Sequence, residues 1–208
     1  MSERGGRLQE RKRRAVRADI VDAAEQLFMT RGYAATTIDD IAAELGMSAR
    51  TVYRYFPAKD DILVGRFADS TNALVEALKA RPDTEPAWVS LRAAFEPLAG
   101  HADGQHDRES VRRVHRAIFA TPALLGRYLQ QLHAAQLHAA DALRARPQIA
   151  RFLNDTTAGD AALLAIVGTA FTCFVAAQET WSRRDDTLSL TSVLDRAMAA
   201  AAPTAHMF

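Results

Sequence analysis

The chain has 208 residues, a formal net charge of only +1, and 49% apolar residues. That length accommodates one small and one larger domain, whereas a single cysteine, Cys173, excludes an internal disulfide. Residues 1–15 lack the apolar core of a cleavable signal sequence, so we expect a cytoplasmic protein.

Positive charge is concentrated near the N-terminus. Residues 1–59 carry 11 Lys and Arg against 8 Asp and Glu, a net charge of +3, so the remaining residues have a net charge of −2. We predict that residues 1–15 form a basic, flexible arm that becomes ordered on the phosphates of DNA, with Arg13, Arg14 and Arg17 as candidate contacts. A solvated tail without a partner is the alternative, because charged runs are usually just hydrated.

The first helix is predicted from the spacing of its apolar residues between positions 16 and 31. They recur at intervals of three and four and form one face, which is expected to pack against two further short helices. The positions are Val16, Ile20, Ala23, Ala24, Leu27 and Phe28. Gly32 is expected to end this helix.

Residues 37–57 contain the start and stop signals of a helix-turn-helix. Thr37 is a suitable N-cap, and Asp40 at the third helical position completes a capping box. Gly46 can adopt the positive φ that ends this helix, and Ser48 caps a second helix that Pro57 stops. Two short helices joined in this way place the second one in the major groove of duplex DNA.

The second helix of this motif presents a polar face that suits DNA. Val52 and Phe56 are four residues apart and are expected to face inward. The outward positions are Ala49, Arg50, Tyr53 and Arg54. Arg can donate two hydrogen bonds to guanine, and Tyr can donate one to a phosphate oxygen. The alternatives are a helical hairpin with a solvated basic face, or one that binds another protein.

Residues 18–63 closely resemble the TetR family of bacterial transcriptional regulators, without a gap. The resemblance rests on the succession Leu-Phe…Arg-Gly-Tyr…Thr-Thr-Ile…Ile-Ala…Gly-Met-Ser…Thr-Val-Tyr…Tyr-Phe-Pro…Lys. It implies that residues 16–58 form the helix-turn-helix DNA-binding domain, and that residues 59–208 form a helical domain for ligand binding and dimerisation. It also implies that Tyr53, Tyr55 and Lys59 bind phosphates.

The motif and the resemblance together give the predicted DNA-binding residues. Arg50 stands where many relatives have a small residue, which suggests a direct base contact, and Tyr55 stands where many have histidine. The full set is Arg13, Arg14, Arg17, Thr36, Thr37, Ser48, Ala49, Arg50, Thr51, Tyr53, Arg54, Tyr55 and Lys59.

The rest of the chain is predicted to be helical, because alanine is abundant and the alternation typical of strands is absent. The predicted helices are about 59–79, 87–98, 107–119, 122–144, 159–183 and 190–201. A polar loop is predicted at 100–105, and a short helix or loop at 148–156. The fold class is therefore all-α with about nine helices, in which a three-helix head is joined to a larger helical domain.

The uncharged run at residues 161–177 predicts a buried helix. A membrane span needs about 20 apolar residues, and this run is shorter and closely bounded by Asp160 and Gln178, so we expect no membrane role. A helix that is apolar all round must be covered on all sides, in part by another subunit. The TetR resemblance implies a homodimer formed by the last two long helices. The predicted interface residues are Leu164, Gly168, Phe171, Val175, Leu190, Val193, Leu194 and Ala197.

No catalytic or metal site is predicted. His133 and His138 are five residues apart, about 140° around a helix, which is poor geometry for a shared metal ion. Neither a glycine-rich phosphate loop nor a nucleophile elbow is present. We therefore expect no enzyme activity, no metal and no cofactor, and we expect Cys173 to be a buried, inert thiol.

Large side chains from five predicted helices could converge on one cavity, although filling the core is the alternative. The resemblance implies a ligand chamber there, and the predicted lining is Phe67, Trp88, Phe95, His115, Phe119, Tyr128, Gln131, Phe171 and Phe174. Apolar walls with few polar groups suit a mainly hydrophobic small molecule, while Arg112, Arg113 and Arg116 keep an acyl thioester of coenzyme A open. The expectation is a repressor released from a palindromic operator by this inducer. An activator or DNA-organising protein without an inducer is the alternative.

Overall fold

The computed structural model describes residues 2–104, 108–155, 159–184 and 187–202, and within these residues the chain is all-helical. The predicted fold class is confirmed, and the described residues form eleven helices in place of about nine. The chain divides into two compact units, Met1–Phe67 and Ala68–Phe208. The domain boundary predicted at residue 59 falls at the start of α4, and the first part of that helix belongs to the N-terminal unit.

The N-terminal unit contains α1 (Ser2–Arg31), α2 (Ile38–Glu44), α3 (Ala49–Tyr55) and the first part of α4 (Lys59–Lys79). The C-terminal unit contains the rest of α4, α5 (Ala87–Ala94), α6 (Glu96–Gly104), α7 (Arg108–Ala120), α8 (Pro122–Arg144), α9 (Pro147–Asp155), α10 (Gly159–Arg183) and α11 (Leu190–Ala200).

The apolar stripe of α1 forms the core of the N-terminal unit, as predicted. Ile20 and Phe28 of α1 are buried together with Ile41 of α2 and Val52 of α3. Removing such side chains from water is the main stabilisation available to a unit of this size. The three helices α1, α2 and α3 are therefore held by one shared core.

Two glycines end helices of this unit in the way the sequence predicts. Gly32 follows α1 with φ +87°, and Gly46 follows α2 with φ +62°. Both values lie in the left-handed region, which a side chain with a Cβ rarely adopts. Beyond Gly46, the Met47 N–H donates to the Ala42 carbonyl at 2.8 Å and closes the turn before α3.

The N-terminal arm differs from the prediction of a flexible segment, because α1 already begins at Ser2. Most of residues 2–15 are Arg, Lys, Glu, Gln and Leu, which have high helix propensity, so the helix continues outward from the core. The side chains of residues 11–15 are exposed. Their positive charge therefore lies on a helical surface that is open to a partner.

Pro97 accounts for an unpredicted break in the C-terminal unit. In place of one helix at about 87–98, the structure has α5 and α6, which meet at Phe95. Within a continuous helix Pro97 would lack an N–H to donate, and its ring would clash with the Ala93 carbonyl, whereas the first turn of a new helix tolerates it. Helix α6 reaches Gly104 and so replaces most of the loop predicted at residues 100–105. For residues 148–156 the sequence predicts a short helix or a loop, and the structure has the helix α9 there.

Helix α10 lies at the centre of the C-terminal unit and packs against α7, α8 and α11. Phe174 of this helix stacks on Phe95 with ring centroids 4.7 Å apart, and Phe171 meets Phe95 edge-on at 5.2 Å. By length and composition α10 is apolar enough to span a membrane, but 44% of its most apolar stretch is buried inside the protein. One side of α10 therefore belongs to the core of the C-terminal unit, and its other side is not covered within the subunit.

A buried arginine ties together the end of α4, the start of α5 and the segment after α8. Arg146 is 4% exposed and donates to Ser90 Oγ (2.9 Å), the Leu78 carbonyl (3.1 Å) and the Glu85 carbonyl (3.3 Å). The Glu85 carboxylate accepts from Arg81 and Ser90. Hydrogen bonds from Arg81 and then from Ser90 lower the pKa of Glu85 from 4.5 to about 2. The cluster is therefore charged and mutually hydrogen-bonded at neutral pH.

Candidate DNA interface and ligand site

Side-chain caps position both helices of the helix-turn-helix. The Thr37 N–H donates to Asp40 Oδ2 (2.8 Å) and the Asp40 N–H donates to Thr37 Oγ1 (3.1 Å), so the predicted capping box is present. The hydrogen bond from the Thr37 side chain holds the pKa of Asp40 below its usual value. At α3, Ser48 Oγ accepts from the Thr51 N–H at 3.2 Å. Free N–H groups at both helix starts are thereby satisfied locally.

The outward face of α3 is a polar, concave surface. Arg50, Tyr53 and Arg54 are exposed, with Tyr53 at 51%, whereas Val52 and Phe56 are buried beneath them. With Ser48 and Thr51, the three exposed residues line a concavity of about 390 Å³. Two guanidinium groups and a phenol on one rigid helix can donate hydrogen bonds to base edges and phosphates.

Arg17 is directed at the recognition helix rather than at solvent. Its Nη1 donates to the Tyr55 carbonyl at 2.7 Å, and its Cζ lies 4.1 Å from the centroid of the Phe56 ring. The side chain is half-buried, whereas Arg13 and Arg14 on the same helix are exposed. The three arginines predicted to bind DNA therefore differ in position, because one of them contacts the end of α3.

Lys59, predicted to bind phosphate, also makes internal contacts. Its Nζ donates to the carbonyls of Tyr33 (2.7 Å) and Thr36 (2.8 Å) and lies 4.1 Å from the centroid of the Tyr33 ring. Burial is the main cause of a lowered pKa of Lys59, which the nearby charge of Asp60 partly opposes. This ammonium group holds the loop before α2, so a phosphate would have to compete with two carbonyl oxygens for it.

Thr36 lies away from the predicted surface. Its side chain is fully buried, and its hydroxyl donates to the Gly32 carbonyl at 2.9 Å, because the loop after α1 turns it inward. A side chain in that position cannot reach DNA. Of the remaining predicted contacts, Thr37 is exposed while Ala49 and Tyr55 are half-buried.

The sequence profile described as "Bacterial regulatory proteins, tetR family" matches residues 20–64, from the middle of α1 to the start of α4. The match therefore spans the capped helix-turn-helix and the core that supports it. The chain belongs to the tetR family. This tetR-family chain is 30% identical over 135 residues to TcmR of Streptomyces glaucescens, an HTH-type transcriptional regulator. The aligned residues cover 61% of this chain and 58% of TcmR, so the chain spans little more than half of that relative.

Two solved structures share the fold of this tetR-family chain. FadR of Thermus thermophilus, in complex with lauroyl-CoA, has a TM-score of 0.61 at 21% identity and covers 88% of this chain and 91% of FadR. FadR of Bacillus subtilis, in complex with stearoyl-CoA, has a TM-score of 0.59 at 17% identity, with coverage of 91% and 99%. At such low sequence identities the likeness shows a shared fold, and it does not show that this chain binds the ligands of the two FadR proteins.

The aromatic residues predicted to line a ligand cavity separate into two groups. Phe95, Phe171 and Phe174 pack against one another and fill the core. Phe119 is half-buried and meets Tyr128 edge-on, with ring centroids 6.3 Å apart. Trp88 is half-buried, and the side chain of Phe67 lies outside the described part of the structure.

A buried chain of hydrogen bonds begins at Tyr128, the residue that Phe119 meets edge-on. The Tyr128 hydroxyl donates to Gln178 Oε1, and the Gln178 amide lies 3.4 Å from His115 Nε2, while His115 Nδ1 lies 3.0 Å from the Val111 carbonyl. Burial raises the pKa of Tyr128 above its usual value, so this hydroxyl stays protonated. Tyr128, Gln178 and His115 are all less than a tenth exposed. We note that Gln178 is missing from the predicted lining, although its place at the polar end of the uncharged run could have marked it.

Two further features of the C-terminal unit bear on ligand binding. Gln131, predicted to line the pocket, donates to Thr71 at 3.3 Å. A separate groove of about 620 Å³ lies between α4 and α8 and contains none of the predicted lining residues. Its walls are Asn72, Val75, Glu76, Lys79, His138, Asp141, Ala142 and Ala145.

The predicted dimer residues lie on different sides of α10 and α11. Phe171, Leu190 and Leu194 are buried within their own subunit, because α10 and α11 pack against each other there, so they do not form a free face. Leu164 is 37% exposed, whereas the other four are half-buried: Gly168, Val175, Val193 and Ala197.

An uncharged face of α10 remains uncovered within the subunit. Its exposed residues recur at helical spacing, namely Ala161, Leu164, Ala165, Thr169, Thr172 and Ala176. The Thr169 and Thr172 hydroxyls donate to the carbonyls of Ala165 (2.7 Å) and Gly168 (2.9 Å), so these hydroxyls are satisfied within the helix. The face is therefore effectively apolar despite its two threonines.

Helix α8 extends this face. A Cβ on Gly168 would lie 3.0 Å from Gln136 Nε2, so the side chain of Gln136 already occupies the space that the glycine leaves. On the same helix α8, Leu129 and Leu137 are 43% and 44% exposed, and they lie seven positions before Gln136 and one position after it. Gly168 thus allows close contact between α8 and α10 inside one subunit, and the two helices together present the α8–α10 face.

Among the described residues, no group of three His, Cys, Asp or Glu side chains could hold a metal ion. Cys173 is buried, and burial raises the pKa of its thiol. A thiol in that environment is a poor nucleophile.

Proposed function

We propose that this protein is a homodimeric, ligand-responsive repressor that binds a palindromic operator in the cytoplasm. The observation that carries the proposal is the outward face of α3, where Arg50, Tyr53 and Arg54 stand on a capped helix over a buried core. The exposed arginines of α1 add positive charge to the same unit. Sequencing of duplexes that the purified protein selects from a random pool tests this function. An enriched two-fold symmetric motif supports it, and a pool without enrichment refutes it.

Arg50 is the expected base reader. The Arg50→Ala variant should bind the selected duplex more weakly by about 1–3 kcal/mol and should lose preference at one base pair of each half-site. The reason is that a guanidinium can donate two hydrogen bonds to guanine, whereas a phosphate contact carries no sequence information. Affinity is measured by equilibrium titration of the duplex and its single-base variants. Unchanged affinity and selectivity would remove Arg50 from the readout.

The proposed dimer forms through the α8–α10 face. Support comes from the uncharged stripe of α10 together with the exposed Leu129 and Leu137 of α8, since large contiguous apolar patches are rarely left in water. A two-fold axis through this face pairs two subunits symmetrically, and two symmetric recognition helices require a symmetric operator.

The proposed inducer is a mainly hydrophobic molecule with one or two hydrogen-bonding groups. Phe119 provides a half-buried apolar wall, and the chain Tyr128–Gln178–His115 provides polar groups beside it. The acyl chains of the lauroyl-CoA and stearoyl-CoA in the two FadR complexes are hydrophobic, whereas their coenzyme A part is charged and rich in hydrogen-bonding groups, so free fatty acids and acyl-CoA thioesters are the first compounds to test. Binding would favour a conformation with weaker DNA affinity, to the extent of its differential affinity for the two conformations.

Phe119→Arg tests the location of this pocket. We expect the variant to bind the selected duplex as the wild type does but to require at least about tenfold more inducer for release, because a charged side chain would have to be buried against the ligand. Ala142→Arg in the groove between α4 and α8 is the matched control. If Ala142→Arg raises the required concentration and Phe119→Arg does not, the inducer binds in the groove instead.

A further inference from the structure

We infer that Arg17 is a positioning residue that fixes the C-terminal end of the recognition helix α3, and that it does not bind phosphate. Tyr55, the last residue of α3, offers a backbone carbonyl that has no partner further along the helix, since the next residue, Phe56, has extended backbone angles. Arg17 of α1 donates to that carbonyl at 2.7 Å. The inference rests on the proposed DNA-binding function and concerns how its reading helix is held.

The contact combines three favourable effects at one place. A cation at the C-terminal end of a helix interacts favourably with the helix dipole. The guanidinium also lies 4.1 Å from the centroid of the Phe56 ring, a cation–π contact with a ring that is only 1% exposed. Its half-buried position further reduces competition from water. Arg17 therefore links α1 to the helix end that the Ser48 cap leaves unsupported.

A short recognition helix needs support at both ends. Helix α3 has seven residues, and its N-terminal end is held by the hydrogen bonds between Ser48 and Thr51. Binding residues must be held to within about half an ångström and 10–20° to make directional hydrogen bonds. Loss of the Arg17 contact would let the C-terminal end of α3 move. The loss would weaken base contacts more than contacts with the phosphates, which tolerate small shifts.

Two variants separate positioning from charge. Arg17→Met keeps an apolar side chain over Phe56 but removes the charge and the hydrogen bond, and Arg13→Met removes the same charge from an exposed position on the same helix. Each is titrated with the duplex selected by the wild type and with a scrambled duplex of equal composition, over a range of salt concentrations. We expect Arg17→Met to lose about tenfold of the preference for the selected duplex, while its salt dependence stays that of the wild type.

Other outcomes overturn the inference. If Arg17→Met weakens both duplexes equally and lowers the salt dependence by about one unit, Arg17 is a phosphate ligand. If only thermal stability falls and the preference of the folded protein is unchanged, its role is confined to folding. Either result contradicts a positioning role.

Hydrogen exchange in the DNA-free protein tests the contact independently of DNA. Amides of residues 52–56 should exchange at least about fivefold faster in Arg17→Met than in Arg13→Met, while amides of residues 20–28 should be alike in both. Equal exchange at residues 52–56 overturns the inference even if the wild type selects no DNA sequence. If the proposed DNA-binding function is wrong, the wild-type protein enriches no sequence from the random pool of duplexes, and that result is independent of the exchange measurement.

Discussion

The Ala165→Arg variant is expected to be a monomer at micromolar concentration and to bind the selected duplex at least about a hundredfold more weakly than the wild type. Ala165 is exposed in the middle of the uncharged face of α10. In the proposed dimer, an arginine there would be buried without a partner and would lie near its symmetry mate, which costs several kcal/mol. A monomer then binds one half-site without the gain from a second, linked recognition helix.

Sedimentation and duplex titration measure the two effects, and Ala199→Arg is the matched control. Ala199 is an exposed alanine on α11, the other helix that the sequence places in the interface. We expect Ala199→Arg to remain dimeric. Dissociation by Ala199→Arg without dissociation by Ala165→Arg would move the interface from α8 and α10 to α11.

The Arg146→Met variant is expected to destabilise the C-terminal unit by about 3–5 kcal/mol. Arg146 is nearly fully buried and donates to Leu78, Glu85 and Ser90, so its removal leaves buried acceptors without their donor and the Glu85 carboxylate with one fewer positive neighbour. Methionine preserves much of the packing, which limits the effect to the lost hydrogen bonds and charge.

Urea unfolding followed in the C-terminal unit measures this loss. Arg144→Met is the control two residues away, because Arg144 forms more exposed ion pairs with Asp141 and Asp160, and such pairs contribute about 1 kcal/mol or less. Similar small losses in the two variants would show that the buried cluster does not hold α4 and α5 in place.

The features that could be predicted from the sequence depend on residues close together in the chain. The capping box of Thr37 and Asp40, the Ser48 cap and the turn at Gly46 each involve side chains within a few positions of the backbone they satisfy. The stop at Pro57 is local as well. Helix-turn-helix geometry follows directly from such signals, which explains why the recognition face was predictable in detail.

The features that the sequence did not predict depend on contacts between distant residues. Lys59 donates a hydrogen bond to the carbonyl of Thr36, 23 positions away, and Arg17 donates one to the carbonyl of Tyr55, 38 positions away. A charge pattern does not distinguish a cation that faces a phosphate from one that faces a carbonyl. One signal was present, because Arg17 precedes Ile20 by three positions and so shares the buried face of α1.

Helical periodicity also does not show whether an apolar face packs against its own subunit or against a partner. The stripe of Leu190 and Leu194 has the spacing of a buried face, and that face packs on its own subunit instead of a partner. The pairing of Tyr128 with Gln178 across 50 positions likewise has no signature in spacing. Both the partner of the Leu190 and Leu194 face and the pairing of Tyr128 with Gln178 are determined by tertiary contacts.

The most direct test of DNA recognition is the ratio of two affinities at physiological salt. The wild-type protein is titrated with the duplex that it selects and with a scrambled duplex of equal composition, while the number of subunits bound is counted by sedimentation. We predict a preference of roughly a thousandfold or more, with a multiple of two subunits on the selected duplex. A preference near one, or binding of single subunits with full affinity, would contradict the account.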